Sequence, residues 1–246
     1  MTDRRHFMLG GAAALAGLAS GCGSNALMDP TVNAANYDAF WLWAGVRPQS
    51  VLDTARTIYI LALEMRRASD GAQWIDQRAS LPHIAHADIW MAVRTNTLAW
   101  SRQQVAAVIA ELDRWRAAGN RLRGLQVDFD AATQALGGYA HFLQNIRAAL
   151  PRHYALSVTG LLDWASHGDM AEVGALAHIV DEVVIQTYQG RQTVVDAERY
   201  LARMGRISMP FRIGLVQGGR MPDLAAAERL ANFRGHVVFL LNEALT

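Results

Sequence analysis

Eight short apolar segments alternate along the chain with longer segments of helical periodicity. The apolar segments are rich in Val, Ile, Tyr, Phe and Trp and are bounded by turn residues, a pattern that predicts β-strands. The predicted strands cover residues 40–46, 57–65, 87–95, 122–130, 154–162, 180–188, 211–217 and 236–242. The stretch 66–86 shows no clear period, and we expect it to be irregular.

The segment 101–120 has the clearest helical pattern, with a stripe of apolar residues between a capping serine and a terminal Gly-Asn pair. Weaker patterns cover 139–151, 169–180, 194–204 and 223–233. Strands that alternate with helices imply right-handed βαβ units and a parallel sheet. Eight such strands predict an α/β protein with a (β/α)8 TIM barrel, which lacks its last helix because the chain ends just after strand eight. The alternative is an open doubly wound sheet, but no G-x-G-x-x-G motif follows the first strand.

The first 22 residues resemble a secretory signal, with a basic start and an apolar run that is too short for a comfortable transmembrane helix. Arg4 and Arg5 resemble a twin-arginine signal, with the Sec route as the alternative. "LASGC" resembles a lipobox, which predicts lipidation of Cys22, the only cysteine. Residues 23–35 read as a tether and 36–246 as one barrel domain. We therefore expect an exported envelope lipoprotein that is held at a membrane.

The charge composition argues against one class of binding partner, nucleic acids. The chain has 23 Lys and Arg against 22 Asp and Glu, a net charge of +1, which does not fit a nucleic-acid-binding protein. No P-loop, H-E-x-x-H or G-x-S-x-G motif is present, which argues against nucleotide hydrolysis, zincin proteolysis and nucleophile-elbow hydrolase chemistry. No cofactor is implied. The sequence leaves the oligomeric state open.

The stretch "GLQVDFDA" places Gln126, Asp128 and Asp130 at alternate positions, so their side chains should share one face of strand four. In a parallel barrel this row lines the interior and rises to the active-site end. Two like charges so close together are costly, and folds keep such pairs mainly where a site needs them.

Other polar or aromatic residues are also predicted at the carboxyl ends of strands, where barrel active sites lie. Glu64 is a candidate second catalytic carboxylate. The other candidates for binding substrate are Trp43, Arg94, Asp163, Trp164, Gln186, Gln217 and Asn242, with Tyr188 beside them. Each tryptophan has an alternative place in the core, and Glu64 could instead pair with Arg66 or Arg67 at the surface.

Two resemblances connect these residues to known families. "FWLWAGV", "GLQVDFDA", "LSVTGLLDW", "VVIQTYQGR" and "FRIGLVQGG" resemble an uncharacterised bacterial domain-of-unknown-function family, number 3142. "LRGLQVDFDA" and "VVIQTYQG" also resemble the strand-four and strand-six motifs of chitinase-like family 18 glycoside hydrolases. The second resemblance implies a glycan substrate, Asp130 as the general acid, Asp128 as the assisting carboxylate and Tyr188 beside the reacting sugar. An aspartate replaces the family's acid glutamate, and Gln126 replaces the first inner acidic residue.

Three other interpretations remain open. Asp128 and Asp130 could bind Mg²⁺ or Ca²⁺, which prefer oxygen ligands. The pair could be structural, satisfied by Arg94 and backbone amides. The same cup-shaped site could also bind a glycan without cleaving it, so the sequence leaves open whether the protein is an enzyme.

Overall fold

The computed structural model describes residues 30–69 and 71–242. The predicted signal, the predicted lipidation site at Cys22 and the predicted tether as far as residue 29 lie outside this part of the chain, as do residues 243–246. The expectation that the eighth helix is missing therefore also falls outside it. None of the helices in the described part is long and apolar enough to cross a membrane.

The predicted barrel is confirmed. Its eight parallel strands are β1 Ala39–Leu42, β2 Thr57–Ala68, β4 Asp88–Thr95, β5 Arg121–Asp128, β6 Ala155–Leu161, β7 Glu182–Gln186, β10 Phe211–Val216 and β11 Phe233–Phe239. They pair in that order, and β11 pairs with β1 to close the sheet. Closure removes both sheet edges and brings the carboxyl ends of all eight strands to one face.

Six α-helices, four short 3-10 helices and three further strands complete the described fold. The helices are α1 Arg102–Ala117, α2 Leu136–Ala149, α3 Trp164–His167, α4 Met170–Leu176, α5 Ala197–Leu201 and α6 Ala225–Glu228. The additional strands are β3 Gly71–Asp76, β8 Tyr188–Gln189 and β9 Gln192–Thr193. Helices α4 to α6 are shorter than their sequence patterns predict.

Only the first part of the segment 66–86 differs from the expectation of irregular structure, since residues 77–86 form neither helix nor strand. Strand β2 continues to Ala68 and β3 returns antiparallel to it, with Met65 opposite Trp74. This hairpin lies outside the closed barrel, which explains why its residues are only half-buried.

Residues 30–32, at the end of the predicted tether, are bound to the turn that follows β10. The Val32 amide donates to the Gly219 carbonyl at 2.8 Å, and the Gly218 amide donates to the Val32 carbonyl at 2.9 Å. Gly218 has a positive φ of 75°, which fits a glycine in a tight turn. The chain therefore enters the fold beside the carboxyl end of a barrel strand.

The apolar core has two parts. The larger part lies between the sheet and the helices and includes Leu125 and Val127 of β5 and Trp115 of α1. The smaller part fills the barrel interior and is centred on Trp41 and Tyr59. Alternate residues of each strand thus face two different apolar regions, which is the arrangement that a filled barrel requires.

Candidate functional site

The row predicted on β5 points into the barrel. Gln126 is fully buried; its Oε1 accepts from the Trp41 indole at 2.6 Å and its Nε2 donates to the Ser157 hydroxyl at 3.0 Å. Asp128 lies one step nearer the carboxyl end of the strand and is 4% exposed. Asp130 follows the strand and is exposed. The row therefore rises from the buried interior to solvent.

Asp128 is held by side chains of the two neighbouring strands. The Thr159 hydroxyl on β6 donates to its Oδ1 at 2.9 Å, and Arg94 Nη1 on β4 lies 3.7 Å from its Oδ2. Arg94 and Asp128 are paired residues in the β4–β5 register. Thus the carboxylate has one hydrogen bond and one longer ion pair.

Burial raises the pKa of Asp128 to about 6. The positive charge of Arg94 and the hydrogen bond from Thr159 oppose this increase, while the negative charges of Asp130 and Glu64 add to it. Desolvation favours the neutral acid more than these partners favour the carboxylate. Asp128 can consequently hold or release a proton near neutral pH.

A cavity of about 630 Å³ opens above Asp128 at the carboxyl ends of the strands; we call it the cup. It brings together seven of the side chains proposed from the sequence: Trp43, Arg94, Asp128, Asp130, Asp163, Gln186 and Tyr188. Its other lining residues are Leu161, Leu162, Gln189, Gly190, Val194, Tyr200 and Phe239. This volume suits a small ligand or part of a longer one.

Aromatic rings form one wall of the cup. Phe239 lies between Trp43 and Tyr188, with ring centroids 5.4 Å and 5.5 Å away. Burial raises the pKa of the Tyr188 hydroxyl well above its usual value, and the charge of Asp128 adds to the increase. Tyr188 therefore stays neutral and can donate or accept a hydrogen bond beside the acidic residues.

Asp163 brings a third carboxyl group to the cup. Its Oδ1 is buried and has no hydrogen-bond partner among the described residues. A buried carboxylate oxygen without a donor is unfavourable, so the position of Asp163 is costly for the fold.

The structure leaves five of the predicted residues outside the cup lining. Glu64 pairs with Arg66 at 2.6 Å, which matches the surface alternative, although Glu64 also stands next to Arg94 in the β2–β4 register. The Trp164 indole is fully buried and donates to the Ala131 carbonyl at 3.0 Å. Gln126, as described above, is bound inside the barrel.

The remaining two residues hold loops together. Gln217 accepts from the Leu241 amide at 2.9 Å and pairs with Gln49, and Asn242 accepts from the Arg47 amide at 2.8 Å. Their amide groups are therefore used to join the segments that follow β1, β10 and β11.

Two aromatic residues of the cup were not found from the sequence. Phe239 lies within a predicted strand, two residues after Val237. Because residues two apart in a strand share a face, this spacing could have indicated that Phe239 faces inward with Val237. Tyr200 belongs to the short helix α5, and no periodic signal there distinguishes a cup residue from a core residue.

Metal binding finds little support among the described residues. No group of three or more His, Cys, Asp or Glu side chains comes together in residues 30–69 and 71–242. Even if each bound through both oxygens, Asp128 and Asp130 would supply at most four of the six to eight oxygen ligands typical of Ca²⁺.

The fold and the cup define a closed (β/α)8 barrel with a carboxyl-lined, aromatic-walled cavity at the carboxyl ends of its strands. A family model described as "Domain of unknown function (DUF3142)" matches residues 89–219, which is more than half of the chain. The chain belongs to this family. No curated protein sequence matches it significantly.

Solved structures share the barrel at low sequence identity. The xylanase–α-amylase inhibitor protein XAIP-I, solved with trehalose, has a TM-score of 0.56 and 13% identity, over 83% of this chain and 93% of its own. XAIP-II from Scadoxus multiflorus has a TM-score of 0.53 and 11% identity, over 81% and 91%. The spore cortex-lytic enzyme SleL of Bacillus cereus has a TM-score of 0.50 and 15% identity, over 73% of this chain. The matched region spans only 50% of SleL. These similarities establish the fold.

Proposed function

We propose that the protein is an exported, glycoside hydrolase-like barrel that binds and cleaves a polysaccharide or cell-envelope glycan in the cup. The observation that carries the proposal is Asp128, a buried carboxyl group with a pKa of about 6 that faces an open cavity. A proton that is available near neutral pH is what a glycosidic oxygen needs when its bond breaks.

The proposed chemistry uses two carboxyl groups, as most glycoside hydrolases do. Asp128 is the better candidate for the proton donor, because burial keeps it protonated to higher pH than an exposed carboxyl. Asp130, exposed at the rim, is the second carboxylate. This exchanges the roles that the family 18 resemblance implies for these two residues.

The remaining cup residues would bind and orient the sugar. Trp43 and Phe239 offer apolar faces against which sugar rings can pack. Gln186 and Tyr188 offer polar groups for hydroxyl or acetamido substituents, and Asp163 adds a carboxyl group to the cup lining. This mixture of a few polar groups with apolar walls is typical of small-molecule sites.

The fold relatives are consistent with a glycan ligand. SleL is named as a cortex-lytic enzyme, and the XAIP-I structure is a complex with the disaccharide trehalose. Since both are below 25% identity to this chain, they support the proposal through the shared barrel and not through shared residues.

A second candidate is a non-catalytic envelope protein that binds a glycan in the same cup. The observation that favours it is that Asp128 already has partners within the protein. It accepts a hydrogen bond from Thr159 and lies beside Arg94. In this case Asp128 would be a ligand for sugar hydroxyls rather than a proton donor.

One experiment separates these functions. The purified chain and its Asp128→Asn and Asp130→Asn variants are tested against bacterial cell-wall and exopolysaccharide fragments, with binding measured by calorimetry and cleavage by release of reducing ends. A hydrolase should lose about 10²–10⁴-fold in turnover in Asp128→Asn and keep its binding. Binding without turnover in the wild type would identify the non-catalytic protein, and absence of both would overturn the proposal. Asp53→Asn, an exposed change outside the cup, is the matched control.

A further inference from the structure

We propose that the face of the barrel opposite the cup carries a binding site for a phosphate group. A second cavity, of about 580 Å³, opens there, where β5, β6 and β7 begin. Its polar lining consists mainly of Arg123, Arg147, Arg152, His153 and Asp181. Nothing in the proposed function uses these residues, because they lie at the other end of the strands.

Arg147 is the fixed part of this basic cavity. Its guanidinium donates to Asp181 Oδ2 at 3.1 Å and to the Tyr154 carbonyl at 2.9 Å, and its side chain is only 27% exposed. The same Asp181 oxygen accepts from the Leu156 amide at 2.7 Å. Asp181 is thus already engaged by two donors, and Arg147 is held in place before any ligand arrives.

Arg123 and Arg152 supply the unpaired charge. Both are exposed, and neither guanidinium has a hydrogen bond or ion pair with another residue in the part of the chain that the structure describes. Three guanidinium groups therefore face one carboxylate, an excess of two positive charges.

The charged groups around the cavity do not cancel this excess. Asp113 accepts from the Tyr154 hydroxyl at 2.8 Å, and the positive charge of Arg116 acts on the same hydroxyl. The opposite charges of Asp113 and Arg116 therefore balance each other beside Tyr154. The excess at Arg123 and Arg152 remains.

Phosphate is the ligand group that best fits this arrangement. Guanidinium groups bind phosphate oxygens through paired, charge-assisted hydrogen bonds, and a doubly charged anion matches the excess of two. The rest of the cavity is lined by the apolar residues Leu122, Leu150 and Ala155. A phosphate ester would place its phosphate on the arginines and its organic part on these apolar side chains. The ester could be a soluble metabolite or a phospholipid headgroup.

The test compares two double variants of the full chain at low ionic strength, with inorganic phosphate and glycerol 3-phosphate as probes in calorimetry. Arg123→Gln/Arg152→Gln should weaken phosphate binding about tenfold or more, as expected when two charged hydrogen-bond donors are removed. Arg229→Gln/Arg234→Gln removes the same charge from exposed residues outside the cavity and should change the affinity less than about twofold. Circular dichroism checks that both variants fold.

Vesicles distinguish the two sources of phosphate. Flotation with vesicles of phosphatidylglycerol and phosphatidylcholine is compared with flotation on phosphatidylcholine alone, so that any N-terminal lipid contributes equally. Extra binding to the anionic vesicles that the Arg123→Gln/Arg152→Gln variant loses would identify a lipid headgroup. Binding of the soluble probes without extra vesicle binding would identify a soluble ester. Equal phosphate affinity in the variant and the wild type, or no saturable binding of any probe, would overturn the proposal.

Discussion

The guanidinium of Arg94 lies 3.7 Å from the carboxylate of Asp128, and the two residues are paired in the register of adjacent barrel strands. Arg94 is half-exposed, whereas Asp128 is buried. Solvent weakens the attraction of the arginine, while desolvation acts on the carboxylate at full strength. For this reason a carboxyl group with a cationic neighbour still has a pKa of about 6.

The Asp128→Asn variant should change how stability depends on pH. A carboxyl whose pKa rises from 3.8 to about 6 on folding binds more protons in the folded state, so stability falls as pH rises from about 4 to above 6. That loss amounts to about 3 kcal/mol at most and should be absent from the variant. Urea unfolding between pH 4 and 8 measures it. An unchanged pH profile in the variant would show that other groups control the stability in this range.

The Arg94→Gln variant should have the opposite effect on this profile. The positive charge of Arg94 lowers the pKa of Asp128, so its removal should raise that pKa above about 6. The loss of stability would then continue to higher pH. The free energy of unfolding of the variant should therefore fall further below that of the wild type at pH 8 than at pH 5. Titration of the Asp128 carboxyl by NMR would follow the shift directly. Arg102→Gln, an exposed change on α1, should leave the profile unaltered.

The inner row of β5 was predictable because period-two alternation determines which side chains share a face. The pKa of Asp128 was not, because it depends on Arg94 and Thr159, and their alignment is set by the register of three strands. The tryptophans illustrate the same limit. Trp43 lies near the end of a predicted strand and lines the cup, whereas Trp164 follows a predicted strand and is buried against the Ala131 carbonyl.

The Gln126→Leu variant should test whether Gln126 is structural. Its side chain accepts from Trp41 and donates to Ser157 in the dry interior, so leucine would leave the indole N–H without a partner. We expect a loss of about 2–4 kcal/mol in the free energy of unfolding, measured in urea. Gln144→Leu, on the exposed face of α2, should change it by less than about 0.5 kcal/mol. Reduced glycan affinity with unchanged stability would instead show that Gln126 contributes to glycan binding, as the sequence predicts.

The Cys22→Ser variant addresses location. If Cys22 carries a lipid, the wild-type protein should fractionate with membranes, and the serine variant should be released or remain unprocessed. Membrane fractionation with immunoblotting measures both forms. Unchanged membrane association of a normally cleaved variant would rule out lipidation as the anchor. Replacing Arg4 and Arg5 by lysine tests the export route separately, because only the twin-arginine route should stop.

The Gly214→Ala variant tests how tightly the barrel interior is packed beneath the cup. A Cβ at Gly214 would lie 2.7 Å and 2.8 Å from two ring carbons of Trp41 and 3.3 Å from the Ile185 carbonyl. The Trp41 ring cannot move freely, because its indole N–H is bound to Gln126 at 2.6 Å. Overpacking of this kind should destabilise the fold by about 1–3 kcal/mol in urea unfolding.

The matched control for this change is Gly138→Ala, in helix α2, where a Cβ would meet no atom within 4 Å. That substitution should stabilise the protein by about 0.5–1 kcal/mol, since alanine loses less backbone freedom than glycine in a helix. Because Trp41 also contacts Trp43 and Tyr188 at centroid distances of 6.4 Å and 6.3 Å, a displaced Trp41 ring should disturb the cup wall as well. Gly214→Ala should therefore weaken glycan binding along with stability, whereas Gly138→Ala should not. Equal stability of Gly214→Ala and the wild type would mean that the Trp41 ring has space to move, and that the interior does not hold the cup wall in place.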